Sequence, residues 1–96
     1  MHARVTTLTG SPESMADGVK MINEEVIPVA RKLDGMVGGY WLADRSSGKF
    51  LGITLWESEE AMRASEETAK QMRDDATGKT GGVMQSVERY EVVGHA

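Results

Sequence analysis

The stretch from Phe50 to Ala61 constrains the fold most, because a strand pattern changes there into a helix pattern within three residues. Residues 50–56 alternate between two rows, and each row contains large apolar side chains. A strand of this kind must be covered on both of its faces. Ser58 then stands at a helix N-cap position, and Glu59 and Glu60 place negative charge beside the positive end of that helix. The stretch predicts a strand, a cap and a helix in direct succession.

The size of the chain predicts a single domain, residues 1–96, with a small core. The composition of its 96 residues, 40% hydrophobic and 27% charged, is that of a globular protein. A core of this size is thin, so that the surface of a partner would add to its stability. We therefore expect the protein to form an oligomer.

Charge and targeting patterns argue against several classes of partner. The net charge is −4, which gives no overall attraction to nucleic acid or to anionic lipid. No apolar run reaches the roughly 20 residues that are needed to cross a bilayer. The N-terminal residues lack the pattern of a signal peptide, and the chain has no cysteine. We expect a cytoplasmic protein with no nucleic-acid or membrane partner.

The first third of the chain reads as a strand followed by a helix. β-branched residues alternate along residues 2–9, which predicts a strand that stops at Gly10. An apolar stripe at spacings of 4, 3, 4, 3 and 4 then predicts a helix that packs on a sheet and ends at Asp34–Gly35. The stripe consists of Met15, Val19, Ile22, Val26, Val29 and Leu33. Pro28 lies inside this helix and removes one of its hydrogen bonds, so we expect a kink there.

The rest of the chain reads as a hairpin, a helix and a last strand. Residues 36–44 and 50–56 alternate as strands, and the short polar turn between them predicts a hairpin. A helix follows from Ser58 to near Thr77–Gly78, and residues 83–93 form the last strand. Short connections and right-handed crossovers fold this β-α-β-β-α-β order into a ferredoxin-like α+β domain. Its four-stranded antiparallel sheet has both helices on one face.

Two helices on one face leave the other face of the sheet uncovered. The third strand nevertheless has two apolar rows: Leu51, Ile53 and Leu55 form one, and Phe50, Gly52, Thr54 and Trp56 form the other. Exposed apolar surface of this extent usually marks a partner site. The simplest partner for so short a chain is a second copy related by a two-fold axis. We therefore expect a homodimer formed through the open sheet face.

Three segments resemble the dimeric α/β-barrel superfamily, and within it the antibiotic-biosynthesis-monooxygenase-like (ABM-like) domains. They are Asp34-Gly35-Met36-Val37-Gly38-Gly39-Tyr40, Trp56-Glu57-Ser58-Glu59-Glu60-Ala61 and Val87-Glu88-Arg89-Tyr90-Glu91-Val92. The resemblance spans nearly the whole chain and implies a dimeric α/β barrel. Members of the superfamily include cofactor-independent oxygenases of anthrone- or quinol-type substrates, haem-degrading enzymes and many proteins without a known reaction.

The resemblance does not extend to the residues that haem-degrading members use. Those members have a histidine on the second helix and an asparagine on the first strand. This chain has Ser65 and Ala69 along the inner face of that helix, and Thr6 and Thr7 in that strand. The departure argues against haem chemistry, and we expect no cofactor.

Six side chains are candidates for lining a ligand pocket: Tyr40, Trp41, Trp56, Ser65, Ala69 and Met72. Tyr40 and Trp41 follow two adjacent glycines, which leave a gap in the strand that aromatic walls could line. Ser65 and Ala69 lie on a helix face of small residues, and small residues leave space beneath the helix. The alternative interpretation places Trp56 in the core or in a dimer interface, and treats the methionines as core filling.

No catalytic residue can be named from the sequence. His2 and His95 lie near the termini, so no metal cluster can be inferred from the spacing of histidines and carboxylates. No Ser/His/Asp set, phosphate-binding loop or dinucleotide fingerprint is present. We therefore expect no metal site.

Two functions fit this reading. The first is a homodimeric enzyme whose cavity desolvates and orients a small aromatic or quinol-type molecule for reaction with O2, without a bound cofactor. The alternative is a non-catalytic dimer that binds a small apolar ligand or serves as an interaction module. RNA binding, which the same topology supports elsewhere, is disfavoured because Leu51 and Ile53 stand where stacking aromatics are required and the net charge is negative.

Overall fold

The strands and helices follow the predicted β-α-β-β-α-β order in the computed structural model, which describes residues Met1–Ala96. The strands are β1 (His2–Thr9), β2 (Met36–Asp44), β3 (Lys49–Trp56) and β4 (Val83–Glu91). They form one antiparallel sheet in the order β2-β3-β1-β4, with both helical layers on the same face. The ferredoxin-like α+β fold is therefore confirmed.

The first helical layer is irregular because it contains a proline. It comprises a 3-10 turn (Pro12–Ser14), α1 (Met15–Met21), a π-helical segment (Ile22–Val26) and α2 (Ile27–Ala30). In the π-helical segment the Ile27 N–H donates to the Ile22 carbonyl, one residue beyond the α-helical spacing. The wider turn directly precedes Pro28, which has no N–H to donate. The layer ends at Ala30, so the prediction that the helix continues to Asp34–Gly35 is wrong.

The second helical layer begins at the predicted cap. It comprises α3 (Glu59–Ala64) and α4 (Glu66–Thr80), which are separated by Ser65. Ser58 Oγ accepts a hydrogen bond from the Ala61 N–H at 3.1 Å, as the cap requires. The layer continues past the predicted end at Thr77–Gly78 because Gly81 provides the stop. Gly81 has φ +71° and donates its N–H to the Thr77 carbonyl at 2.9 Å.

The two faces of the sheet differ in what covers them. The row of β3 that contains Trp56 faces the helices, and it lies next to the row of β1 that contains Arg4, on the same face of the sheet. Only ten of the 96 residues are buried, so the core is as thin as the chain length predicts. The apolar core residues are Ala3, Met15, Ala30, Trp56, Met62 and Ala69. The second row of β3, residues 51, 53 and 55, lies on the open face. None of the helices is both long and apolar enough to span a lipid bilayer.

Candidate functional site

A cavity of about 100 Å³ lies between the helix-facing rows of β1 and β3 and the helices. We call it the inner cavity. Twelve of its 17 lining residues are hydrophobic, so its walls are mostly apolar. Those walls include Ile22, Val26, Ala30, Leu33, Trp41, Phe50, Trp56, Ala69, Met72 and Ala76. The polar lining groups are two threonine hydroxyls, Thr6 and Thr54, and two guanidinium groups, Arg4 and Arg73.

Arg4 is the central polar residue of the inner cavity. It is only 3% exposed, because alternation along β1 turns its side chain under the second helical layer. Its Nη2 atom lies 2.8 Å from both the Met62 carbonyl and Ser65 Oγ, and it donates a hydrogen bond to each. Its guanidinium carbon lies 5.3 Å from the centroid of the Trp56 ring, which is within cation-π range.

Glu66 balances part of this buried positive charge. Its carboxylate accepts two hydrogen bonds from Arg89, at 2.6 Å from Nε and 2.8 Å from Nη2, and it lies 3.1 Å from Nη2 of Arg4. The hydrogen bonds from Arg89, with a further contribution from Arg4, lower the pKa of Glu66 to about 2. Glu66 is therefore ionised throughout the physiological pH range.

Arg73 is the second cation at the inner cavity. It lines the cavity and forms no ion pair within 4 Å. Burial lowers the pKa of Arg73, and the positive charge of Arg4 lowers it further. We call Arg4, Arg73, Arg89 and Glu66 the arginine cluster. Three guanidinium groups and one carboxylate leave this cluster with an excess of positive charge.

A larger groove of about 560 Å³, which we call the outer groove, lies beside the inner cavity, between β2 and the first helical layer. The two spaces share Ile22, Trp41 and Phe50 as lining residues. The indole ring of Trp41 lies across two glycines. A Cβ atom at Gly39 would be 3.1 Å from the ring, and one at Gly52 would be 3.3 Å from its Nε1. Trp41 therefore forms part of the wall between the inner cavity and the outer groove.

The structure brings four of the six candidate pocket residues together. Trp41, Trp56, Ala69 and Met72 all line the inner cavity. Tyr40 lies on the opposite face of β2 and borders the outer groove, with 67% of its surface exposed. Ser65 is buried but does not line the cavity, because its hydroxyl donates to the Met62 carbonyl and accepts from Arg4. A ligand role for these residues stays a prediction.

Sequence reasoning missed Arg4 and Arg73, which supply the charge of the site. Arg4 carried a usable signal, since a charged residue in the same strand row as Thr6 and Leu8 would have to face the helices if that row did. Arg73 gave no such signal, because it stands beside the apolar stripe of a helix in which most of the other charged residues are exposed.

Solved structures of other proteins share this fold. The chain matches a proposed antibiotic biosynthesis monooxygenase from Deinococcus radiodurans with a TM-score of 0.76 and 24% identity, over 100% of this chain and 95% of that one. The chain has an ABM-like fold. The haem degrader MhuD of Mycobacterium tuberculosis gives a TM-score of 0.72 at 18% identity, over 100% and 99%. SnoaB, a cofactor-independent oxygenase from Streptomyces nogalater, gives 0.69 at 13% identity, over 98% and 94%.

Sequence relatives of the chain have no assigned activity. The chain is 34% identical over 92 residues to the uncharacterised protein Rv2557 of Mycobacterium tuberculosis, and 36% identical over 92 residues to Rv2558. The match covers 96% of this chain but only 41% and 39% of those proteins. The chain therefore spans about two fifths of the length of these relatives. No protein-family model matches it.

Proposed function

We propose that this ABM-like domain is a homodimeric, cofactor-independent monooxygenase that acts on a small aromatic or quinol-type substrate in the inner cavity. One observation carries the proposal: an apolar chamber between sheet and helices in which the only charged lining groups are Arg4 and Arg73. Such a chamber removes water from a ring and places positive charge where an electron-rich anion needs it. SnoaB, which has the same fold, is an oxygenase that needs no cofactor.

The chemistry is balanced by the substrate and O2 alone. A quinol- or anthrone-type substrate first loses a proton to solvent water. In the resulting anion a ring carbon that carries hydrogen gives electrons to O2 and forms a C–O bond, and a proton from solvent completes the hydroperoxide on that carbon. Loss of water from the hydroperoxide breaks the O–O bond and leaves a C=O group. One oxygen atom stays in the product and the other leaves as water, and the substrate supplies all four electrons. In this reaction the apolar walls orient the ring, and the guanidinium groups stabilise its anion.

Oxygen consumption tests the reaction directly. We expect the purified domain to consume O2 in the presence of at least one member of a panel of hydroquinones and anthrones, above the rate without protein. Met72→Trp should reduce that rate by about tenfold or more, because the larger side chain fills the inner cavity and displaces the ring. Gln71→Trp is the matched control, since this exposed neighbour on α4 lies outside the cavity. No consumption across the panel would contradict the proposal.

The homodimer is proposed from the open face of the sheet. That face carries Leu51, Ile53 and Leu55 on β3 beside two residues of β2, Tyr40 and Leu42, which are 67% and 45% exposed. A two-fold axis through this face would cover the apolar row that the helices leave bare.

Disruption of the open face tests the assembly. We expect light scattering at micromolar concentration and physiological salt to give twice the chain mass of 10.4 kDa. Ile53→Asp should raise the dissociation constant by about a hundredfold or more, because it would bury an unpaired charge. Val93→Asp, at a residue that is 90% exposed beyond β4, should leave the mass unchanged. A folded wild-type monomer under these conditions would exclude the proposed dimer.

A non-catalytic, ligand-binding dimer is the second candidate, and one feature favours it. The lining of the inner cavity contains no histidine and no carboxylate, so none of its side chains is an ordinary general base. Saturable binding of a small aromatic molecule without any oxygen consumption would assign the domain to this class.

A further inference from the structure

The charge of the inner cavity differs from that of a simple apolar pocket. Both of its charged lining residues are arginines, and the arginine cluster as a whole has three guanidinium groups for one carboxylate. Arg89 already holds that carboxylate with two hydrogen bonds. Buried charges in proteins are normally paired, because an unpaired charge pays the full cost of desolvation. The cavity therefore lacks a negative group of its own.

Arg4 retains a donor that nothing in the protein uses. Its hydrogen bonds to Met62 and Ser65 and its ion pair with Glu66 all involve the same nitrogen, Nη2. Its Nε–H is buried and has no hydrogen-bond partner. More than nine in ten buried polar groups in proteins have such a partner. An acceptor brought in by a ligand would satisfy this donor.

A ligand that binds here as an anion must already be ionised in solution. Thr6 and Thr54 are the uncharged polar groups of the cavity lining, and neither hydroxyl removes a proton at neutral pH. A phenol, with a pKa near 10, enters mostly neutral, whereas a carboxylic acid enters ionised. A carboxylate also matches the fork of a guanidinium group, since it accepts two parallel hydrogen bonds.

The volume of the cavity limits the size of the ligand. A closed apolar cavity of about 150 Å³ is enough for one benzene molecule. The inner cavity is smaller than that, at about 100 Å³, so a single ring already fills it, and a ligand of three fused rings would have to extend into the outer groove beyond Trp41. Trp41 and Trp56 provide aromatic surfaces for such a ring.

From these features we infer that the inner cavity binds a single-ring aromatic carboxylate, with the carboxylate at Arg4 and Arg73 and the ring among its apolar walls. The inference rests on the proposed function because it names the substrate class of the same cavity. If the domain is an oxygenase, its substrate is a quinol that carries a carboxylate.

Benzoate and benzamide test this inference, because they differ in charge and hardly in shape. Neither is a quinol, so their binding does not depend on turnover. The chain has two tryptophans and both line the inner cavity, so tryptophan fluorescence reports on its occupation. We expect a saturable fluorescence change with benzoate, and binding of benzamide that is weaker by about tenfold or more.

Variants of Arg73 test whether this residue binds the carboxylate directly or only adds to the positive charge of the protein. Arg73 has no ion pair to lose, so Arg73→Gln should fold, and it should weaken benzoate binding by about tenfold or more without changing benzamide binding. Arg73→Lys keeps the charge and should restore part of the affinity. Arg45→Gln removes the same charge from the exposed turn between β2 and β3, and it should bind benzoate like the wild type.

Two results would overturn the inference: equal affinity of the wild type for benzoate and benzamide, or equal affinity of Arg73→Gln and the wild type for benzoate. Failure of the proposed function gives a different result. Benzoate binding without any oxygen consumption would support the anion site and contradict the oxygenase proposal. Oxygen consumption with an uncharged quinol, together with no benzoate binding, would support the oxygenase proposal and contradict the anion site.

Discussion

Trp56→Ala is expected to lower the free energy of unfolding by about 3–5 kcal/mol, the range for removal of a large buried aromatic side chain. Trp56 is 1% exposed and is the largest fully buried side chain of the protein. Its loss would also remove the hydrogen bond from Nε1 to Thr54 Oγ1, at 3.0 Å, and the ring that faces the guanidinium group of Arg4. Domains of this size are stable by about 5–15 kcal/mol, so the variant would retain little margin.

Urea denaturation measures this loss. The protein concentration is kept fixed, because association between chains would make the apparent stability depend on concentration. Trp41→Ala is the matched control. It removes the same side chain from the same sheet face, but at a position that is only partly buried and borders the outer groove. We expect a smaller loss for Trp41→Ala. Equal losses in the two variants would mean that Trp56 does not anchor the core.

Glu66→Gln is expected to lower the free energy of unfolding at neutral pH by about 3 kcal/mol, because it leaves buried Arg4 without a carboxylate partner. The variant keeps the size of the side chain but removes the only negative charge that lies within 4 Å of Arg4 or Arg89. Arg4, Arg73 and Arg89 would then repel one another without compensation. Thermal or urea unfolding of the two proteins gives the difference.

The pH dependence of that difference is specific to Glu66. Its pKa is lowered from 4.5 to about 2 in the folded protein, so the wild type gains stability from ionised Glu66 above pH 4.5. This contribution is lost as the pH falls from 4.5 towards 2. The difference between wild type and Glu66→Gln should therefore shrink over the same interval. The neighbouring exposed residue gives the control Glu67→Gln, for which the difference should stay small throughout. A Glu66→Gln difference that did not change between pH 5 and pH 2 would exclude this role.

The parts of the fold that depend on residues close together in the sequence could be predicted. The alternation in residues 50–56 and the hydroxyl of Ser58 determine a strand and a cap within a few residues. The ends of the helices were less predictable. Gly78 and Gly81 both stand where a helix could stop, and only the bond from the Gly81 N–H to the Thr77 carbonyl decides between them. The π-helical segment before Pro28 likewise depends on a single hydrogen bond, from the Ile27 N–H to the Ile22 carbonyl.

The site was predictable only in its apolar half. Trp41, Trp56 and Met72 belong to rows and stripes that the sequence displays. The position of Arg4 depends on contacts with Met62 and Ser65, which lie 58 and 61 residues further along the chain. Such contacts follow from how a helix lies on a sheet, and no local pattern encodes that. The sequence therefore indicated a pocket but not its charge.

The wall between the two spaces has a consequence for the size of molecule that the domain can admit. The indole of Trp41 lies beside Gly39 and Gly52, which have no side chains to displace it. A methyl group at Gly52 would lie 3.3 Å from the ring, and one at Gly39 would lie 3.1 Å from the ring and 2.8 Å from the Ile53 carbonyl oxygen, so the ring or the strand would have to move. The position of the indole, and with it the shape of the inner cavity, thus depends on two residues that contribute no side chain of their own. A relative with alanine at one of them would have a chamber of different shape, even if every wall residue were the same.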